Sequence, residues 1–339
     1  MTLRAGQTRI FIALVPELRQ RIFPGEIAGE LRALAEVESH DAASNLTGPQ
    51  LAAILGDFDA VITGWGTPPF DDSVLAARGR LRIVAHSAGS IKHLFPPPLF
   101  EAGIAVTHAA AAIAPAVAEM CLTLTLALLR RVPQYIGAMK AGQSWEEALA
   151  IGYGTELASA RVGVVGAGHT GRCFIKLLRG LEGDICVFDP YLSSKEAADL
   201  GARKVELDEL LSTSQVVALH APSTPKTRHM IGAKQLSMLK DGAIFINTAR
   251  SWLVDEAALL EELRRRRIVA ALDVFDQEPL AADSPFRSLP NVYLLPHVAG
   301  GSQQTAARQG RLIVDELRRF FGGEALKYPV RLDMLQTMA

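Results

Sequence analysis

Apolar residues recur along this chain in a rhythm of short β-rich runs separated by Ala- and Leu-rich segments with helical spacing. Ile10 to Val15, Ala60 to Thr63, Leu81 to Ala85 and Ile104 to Thr107 are the first strand candidates. The rhythm begins again after Ala160, with strand candidates at Val162 to Val165, Ile185 to Phe188, Val216 to Leu219, Ala243 to Ile246, Val269 to Leu272 and Val292 to Leu294. Such alternation predicts βαβ units in two α/β parts, and six strands in succession suit a complete dinucleotide-binding fold.

Between the two parts lies the longest apolar stretch, Ile113 to Leu129. It contains Pro115 and Glu119 and stops at Arg130 and Arg131, so it predicts a buried helix and no membrane span. From there to Ser159 the chain holds Pro133, Trp145 and several glycines without a strand signal, a pattern expected of a linking helix and an arm. A final helix is expected from Ser302, a good N-cap, with Ile313, Leu317 and Phe320 on one face and a stop at Gly322 and Gly323.

Length and composition narrow the class. At 339 residues the chain exceeds one comfortable core, so two domains are expected. Lys and Arg (35) nearly cancel Asp and Glu (36), leaving no field that would attract nucleic acid. The three cysteines, Cys121, Cys173 and Cys186, show no CxxC spacing, which suits reduced thiols in a cytoplasmic protein and suggests no metal site. The first apolar run is only six residues long and ends at Pro16 and Glu17, so it is expected to be a strand and not a secretion signal.

The strongest local signal is RVGVVGAGHTGRCFIKLL, where Gly166, Gly168 and Gly171 form GxGxxG after an apolar strand and at the mouth of an amphipathic helix. Gly166 permits a tight turn, Gly168 lets a pyrophosphate approach the backbone, and Gly171 lets helix and strand pack closely. The helix N-terminus adds partial positive charge. His169 and Thr170 fill the variable positions of this cofactor loop, where His169 reads more simply as solvated. Asp189 follows the next strand candidate, placed to accept hydrogen bonds from ribose hydroxyls and to repel a 2′-phosphate. Pro190 and Tyr191 come next, with no arginine, which favours NAD over NADP.

Three further strand ends carry polar residues that packing does not require: Arg250 after AIFINTA, Glu278 after ALDVFDQ and His297 after VYLLP. Reduction of a 2-keto acid needs a fixed cation for the carboxylate and carbonyl oxygen, and a proton donor for the developing alkoxide. Arg250 and His297 suit those needs. Glu278, bonded to the other ring nitrogen, would orient the imidazole and favour its protonated form.

With VGVVGAGHTG, FINTAR followed by VDEAALLEEL, ALDVFDQEPL, NVYLLPHVAG and the upstream VAEMCLTLTLALLRR in place, the chain resembles the D-isomer-specific 2-hydroxyacid dehydrogenase family over most of its length. The resemblance implies two doubly wound parallel-sheet domains. A Rossmann NAD-binding domain, residues 113–302, would be inserted into a flavodoxin-like substrate domain, residues 1–112 plus 303–339. It also implies that Arg250 binds substrate, that His297 is the acid/base and that Glu278 is its partner. Asp273 would hold the nicotinamide carboxamide, and His220, Pro222, Thr248 and Ala249 would lie beside the cofactor. In HSAGSIKHLF, Ala88, Gly89 and Ser90 would offer backbone amides to the substrate carboxylate, and a homodimer would form through the apolar helix and the Trp145 arm.

Two departures from the family pattern bear on the substrate. Ser251 replaces the usual glycine after the arginine, and the substrate loop reads Ser90, Ile91, Lys92 where a glycine-rich form with Asn and Asp is common. Lys92 or His86 is therefore a candidate for recognising a second anionic group, against the simpler reading of a solvated lysine and a packed histidine. Glu278 argues against a formate dehydrogenase, which carries glutamine there. A phosphite dehydrogenase and an NAD(H)-sensing co-repressor remain alternatives, although no basic tail flanks the domains. No regulatory domain of appreciable length is expected after the last helix, so a feedback-controlled long-form phosphoglycerate dehydrogenase is not the expected reading.

Overall fold

The computed structural model describes residues 8–338. They form two compact units, one made of the residues through Ile113 together with those from Gly301 onward, the other of Ala114–Gly300.

The first unit is built on β1 (Arg9–Ile12), β2 (Glu36–Ser39), β3 (Ala60–Thr63), β4 (Ile83–His86) and β5 (Ala105–His108), all parallel in the order 5-4-3-1-2. This is the flavodoxin-like order. The inner strands are mostly apolar because helices cover both faces, with Arg9, Thr63 and His86 at strand ends. Ile10, Ile12, Ile62 and Ile83 point to one side, where Ile313, Val314 and Leu317 of the helix Gln303–Phe321 join them; Phe11, Val61, Val84 and Val106 point to the other. That helix starts as expected, with the Ser302 hydroxyl accepting the Thr305 N–H. The buried Glu316 carboxylate on it accepts from the Thr107 hydroxyl and from the backbone N–H groups of Lys327 and Tyr328.

The second unit contains β6 (Arg161–Val165), β7 (Asp184–Phe188), β8 (Arg203–Lys204), β9 (Val216–Leu219), β10 (Ile244–Asn247), β11 (Val269–Leu272) and β12 (Val292–Leu294), all parallel, in the order 12-11-10-9-6-7-8. The order reverses between β6 and β9, as in a Rossmann sheet. One face packs Val162, Val164, Val216 and Ile246 against Phe174 and Leu178; the other packs Val165, Val217, Leu219 and Phe245 against Leu210, Leu259 and Leu263.

Several elements differ from the sequence pattern. The sheet of the second unit has seven strands, because the two-residue β8 carries only Arg203 and Lys204 and no apolar run marks it. In the first unit, β2 reads EVES with only partial burial, as an edge strand does, and the last strand, β13 (Pro329–Val330), pairs antiparallel with β5. The apolar helix begins earlier than expected and runs Ala110–Leu129; by length and composition it is long enough to cross a bilayer. Cys121, Thr125, Leu128 and Leu129 on it are nevertheless buried within the protein. The arm is helical, with Val132–Lys140 and Trp145–Leu149.

Candidate active site

The cofactor cradle forms where the sheet order reverses. Gly166 leaves β6 with φ of +100°, and a β-carbon there would sit 2.7 Å from the Ala221 nitrogen, so the turns after β6 and β9 touch through this glycine. A β-carbon on Gly171 would lie 2.0 Å from the Gly166 carbonyl oxygen, which fixes how closely the helix His169–Arg179 meets its strand. Around Gly168, the N-cap of that helix, the space is open. Exposed His169 and half-buried Thr170 begin the helix. Asp189, just past β7, accepts the Ala167 N–H on one oxygen and the Tyr191 N–H on the other, both at 2.8 Å. Across the crevice stand His220, Ala221 and Pro222 at the end of β9. Both ring nitrogens of His220 are buried without a hydrogen-bond partner, beside the Phe174 ring at 5.2 Å.

Arg250, Glu278 and His297 share one edge of the sheet, the carboxyl ends of the adjacent strands β10, β11 and β12. His297 Nδ1 lies 2.6 Å from Glu278 Oε2, while Glu278 Oε1 accepts the Phe275 N–H at 3.0 Å. Burial pushes the Glu278 carboxyl up, but the hydrogen bonds from His297 and Phe275 and the charges of His297 and Arg250 outweigh it and hold the group below the usual carboxylate range. Burial lowers Arg250 from its ordinary value and the Glu278 charge opposes that; a guanidinium stays protonated throughout.

The turn that presents Arg250 is organised by Asn247, which sequence reasoning passed over although it stands inside FINTAR. Its side-chain oxygen accepts the Ala249 N–H and its amide donates to the Arg250 carbonyl, closing the Thr248–Ala249 turn around itself. Ser251 opens a short 3-10 turn, Ser251–Leu253, and is not among the left-handed residues, so its β-carbon brings no backbone strain at the position where the family pattern led to an expectation of glycine. Asp273 grips backbone, accepting the N–H groups of Val298 and Ala299 at 2.8 Å each.

In the first unit, Ala88, Gly89 and Ser90 follow β4 at the carboxyl edge of its sheet. They rest on a polar floor. The Ser87 hydroxyl donates to the Thr63 carbonyl, Gln309 donates to the Ser87 carbonyl, His108 Nδ1 lies 3.3 Å from the Gly89 oxygen, and His86 Nδ1 lies 2.9 Å from the Thr63 hydroxyl. His86 is 1% exposed and so belongs to this floor, not to a solvent-facing anion site. Lys92 is partly buried, which lowers its pKa.

Burial, with repulsion from His108 and His93, pushes His86 down to about 3, and burial pushes His220 down to about 4. Both are neutral in the fold and protonate more readily when unfolded. Folding stability is therefore expected to fall as pH drops from about 6.5 towards 4, by up to about 1.4 kcal/mol per histidine for each pH unit. Urea midpoints recorded across that range test this, and a His220→Gln variant should show the shallower slope.

Residues 122–299 match the family described as D-isomer specific 2-hydroxyacid dehydrogenase, NAD binding domain. A glyoxylate reductase from Korarchaeum cryptofilum is 33% identical over 86% of this chain and 90% of its own length. The chain belongs to the D-isomer-specific 2-hydroxyacid dehydrogenase family. A D-3-phosphoglycerate dehydrogenase from Methanocaldococcus jannaschii is 31% identical over 89% of this chain, which spans 57% of that enzyme's length. Against the solved D-2-hydroxyisocaproate dehydrogenase the fold superposes with a TM-score of 0.79 at 25% identity, covering 95% of this chain and 99% of the other. NAD is the cofactor of this family, and the cradle suits it: open space at Gly168, a helix N-terminus, the Asp189 carboxylate past β7 and the unpartnered imidazole of His220 are groups that would suit a dinucleotide.

Proposed function

We propose that this dehydrogenase moves a hydride between NAD(H) and C2 of a small D-2-hydroxy acid or its 2-keto partner. The observation that carries the reading is the 2.6 Å contact between His297 Nδ1 and Glu278, set on the same sheet edge as Arg250. Bound NADH supplies the hydride. Arg250 holds the substrate carboxylate and carbonyl oxygen with its planar fork and draws negative charge onto that oxygen. His297 presents Nε2, gives its proton to the alkoxide during reduction, and takes the hydroxyl proton during oxidation. Glu278 stays ionised and fixes the imidazole so that Nδ1 carries a proton and Nε2 does the exchange. In the first unit, the backbone amides of Ala88, Gly89 and Ser90 are the candidate donors for a substrate carboxylate.

On the cofactor side, Gly166, Gly168, His169, Thr170 and Gly171 receive the pyrophosphate and Asp189 the adenosine ribose. His220, Pro222, Thr248, Ala249 and Asp273 line the nicotinamide end. The exposed Val132, Ile136, Met139, Trp145, Leu149 and Tyr153 along the arm support a homodimer, which a monomeric mass in solution would exclude. The free cysteines support a cytoplasmic location.

Oxidation of NADH and of NADPH across glyoxylate, 3-phosphohydroxypyruvate, 2-ketoisocaproate and related 2-keto acids, at several pH values, tests the reading. Turnover of at least one, with NADH preferred, is expected. NADH binding without turnover of any 2-keto acid would remove the enzymatic assignment.

A further inference from the structure

His297 has a left-handed backbone, with φ of +55°, a conformation that a residue with a β-carbon adopts only where its surroundings impose it. The surroundings here are two carboxylates from one loop. Glu278 holds the imidazole. Asp273, 1% exposed at the end of β11, holds the backbone that follows, accepting the Val298 N–H on Oδ1 and the Ala299 N–H on Oδ2. A carboxylate is the one side chain that can accept two adjacent amides with separate oxygens while each oxygen keeps a further lone pair.

The direction of a Cα–Cβ bond follows the backbone dihedrals, so whatever fixes the turn at 297 also aims the ring. Without Asp273 the Ala299 N–H, in a residue only 2% exposed, would lose its acceptor. The turn would then relax towards ordinary dihedrals, and the imidazole would leave the Glu278 oxygen.

We infer that Asp273 is a positioning residue for His297, clamping the two amides after it and thereby holding the left-handed turn that points the imidazole at the reacting oxygen. This role is separate from any contact of Asp273 with the cofactor. It rests on the reading of His297 as the acid/base.

Asp273→Asn keeps shape and one accepting oxygen but turns the other into an amide nitrogen; Asp273→Ser replaces both carboxylate oxygens with a single, shorter-reaching hydroxyl. With NADH saturating, kcat for 2-keto acid reduction is expected to fall about tenfold or more in Asp273→Asn. The same change placed in a His297→Asn background should cause no further loss. An equal loss in both backgrounds, or a loss confined to NADH affinity, would overturn the inference.

A second arm needs no turnover. The His297 ring signal, identified among eight histidines by its absence in His297→Asn, is followed by NMR as pH is varied. The charged groups near the ring are Asp273 and Glu278, with Arg250 acting on Glu278 and Arg287 lining the same pocket. In Asp273→Asn and Asp273→Ser the signal should broaden; a line shape that stays sharp, with or without the shift in midpoint that loss of the Asp273 charge alone would cause, refutes the clamp. A broadened signal in a protein that turns over no 2-keto acid would uphold the clamp and discard the enzymatic reading instead.

Discussion

Replacing His297 with Asn is expected to lower kcat for 2-keto acid reduction by about 10²- to 10⁴-fold, the range typical of losing a general acid. Asn is close in size and can still donate a hydrogen bond to Glu278, so the loop of residues 273–278 should keep its shape. What it cannot do is exchange a proton with an alkoxide. NADH affinity, read by fluorescence titration, should stay within a few-fold of the parent, because the cradle around Gly166, Gly168 and Gly171 lies at the ends of other strands. The pH profile should also change. Glu278 is held below the usual carboxylate range, so it stays ionised through neutral pH and is not the source of a limb near neutrality. That limb should disappear in His297→Asn; its persistence would assign the proton transfer to another group.

The second large effect is expected at Arg250. Lysine there keeps a positive charge but loses the fork that binds carboxylate and carbonyl oxygen together, so kcat/KM should fall about 10²-fold or more, roughly 2.7 kcal/mol of transition-state stabilisation. The burial that already lowers the arginine acts more severely on an amine. A lysine at 250 should lose its proton as pH rises, so the deficit of Arg250→Lys should deepen on the alkaline side, whereas the parent arginine stays charged. A deficit that is constant with pH would show that geometry alone is at stake. Arg250→Gln, with neither charge nor fork, should be the more damaged variant throughout.

Much of the cofactor cradle could be read along the chain because its logic is local. The glycines of GAGHTG lie within one strand–turn–helix, so spacing alone places the turn, the phosphate approach and the helix mouth. Asp189 follows from the next strand. The strands that escaped notice, β2, β8 and β13, are short or half-exposed and carry charged residues or proline, so no run of buried side chains announces them. Asn247 was hidden for another reason. Its work is done through hydrogen bonds to its own turn, and an asparagine in a loop has many ordinary explanations.

Sequence by itself determined which chemistry is available: a glycine turn after a strand, a carboxylate past the next strand, and Arg250, Glu278 and His297 in that order at successive strand ends. It could do so because each signal depends on neighbours within a few residues or on the alternation of strands and helices. Only the tertiary structure decided how those groups are aimed. His297 and Glu278 are 19 residues apart in the chain and meet at 2.6 Å, and Asp273 reaches 25 residues ahead to the Val298 amide. Such pairings depend on parallel strands lying side by side with their ends level, a property of the folded sheet that no local pattern of residues contains.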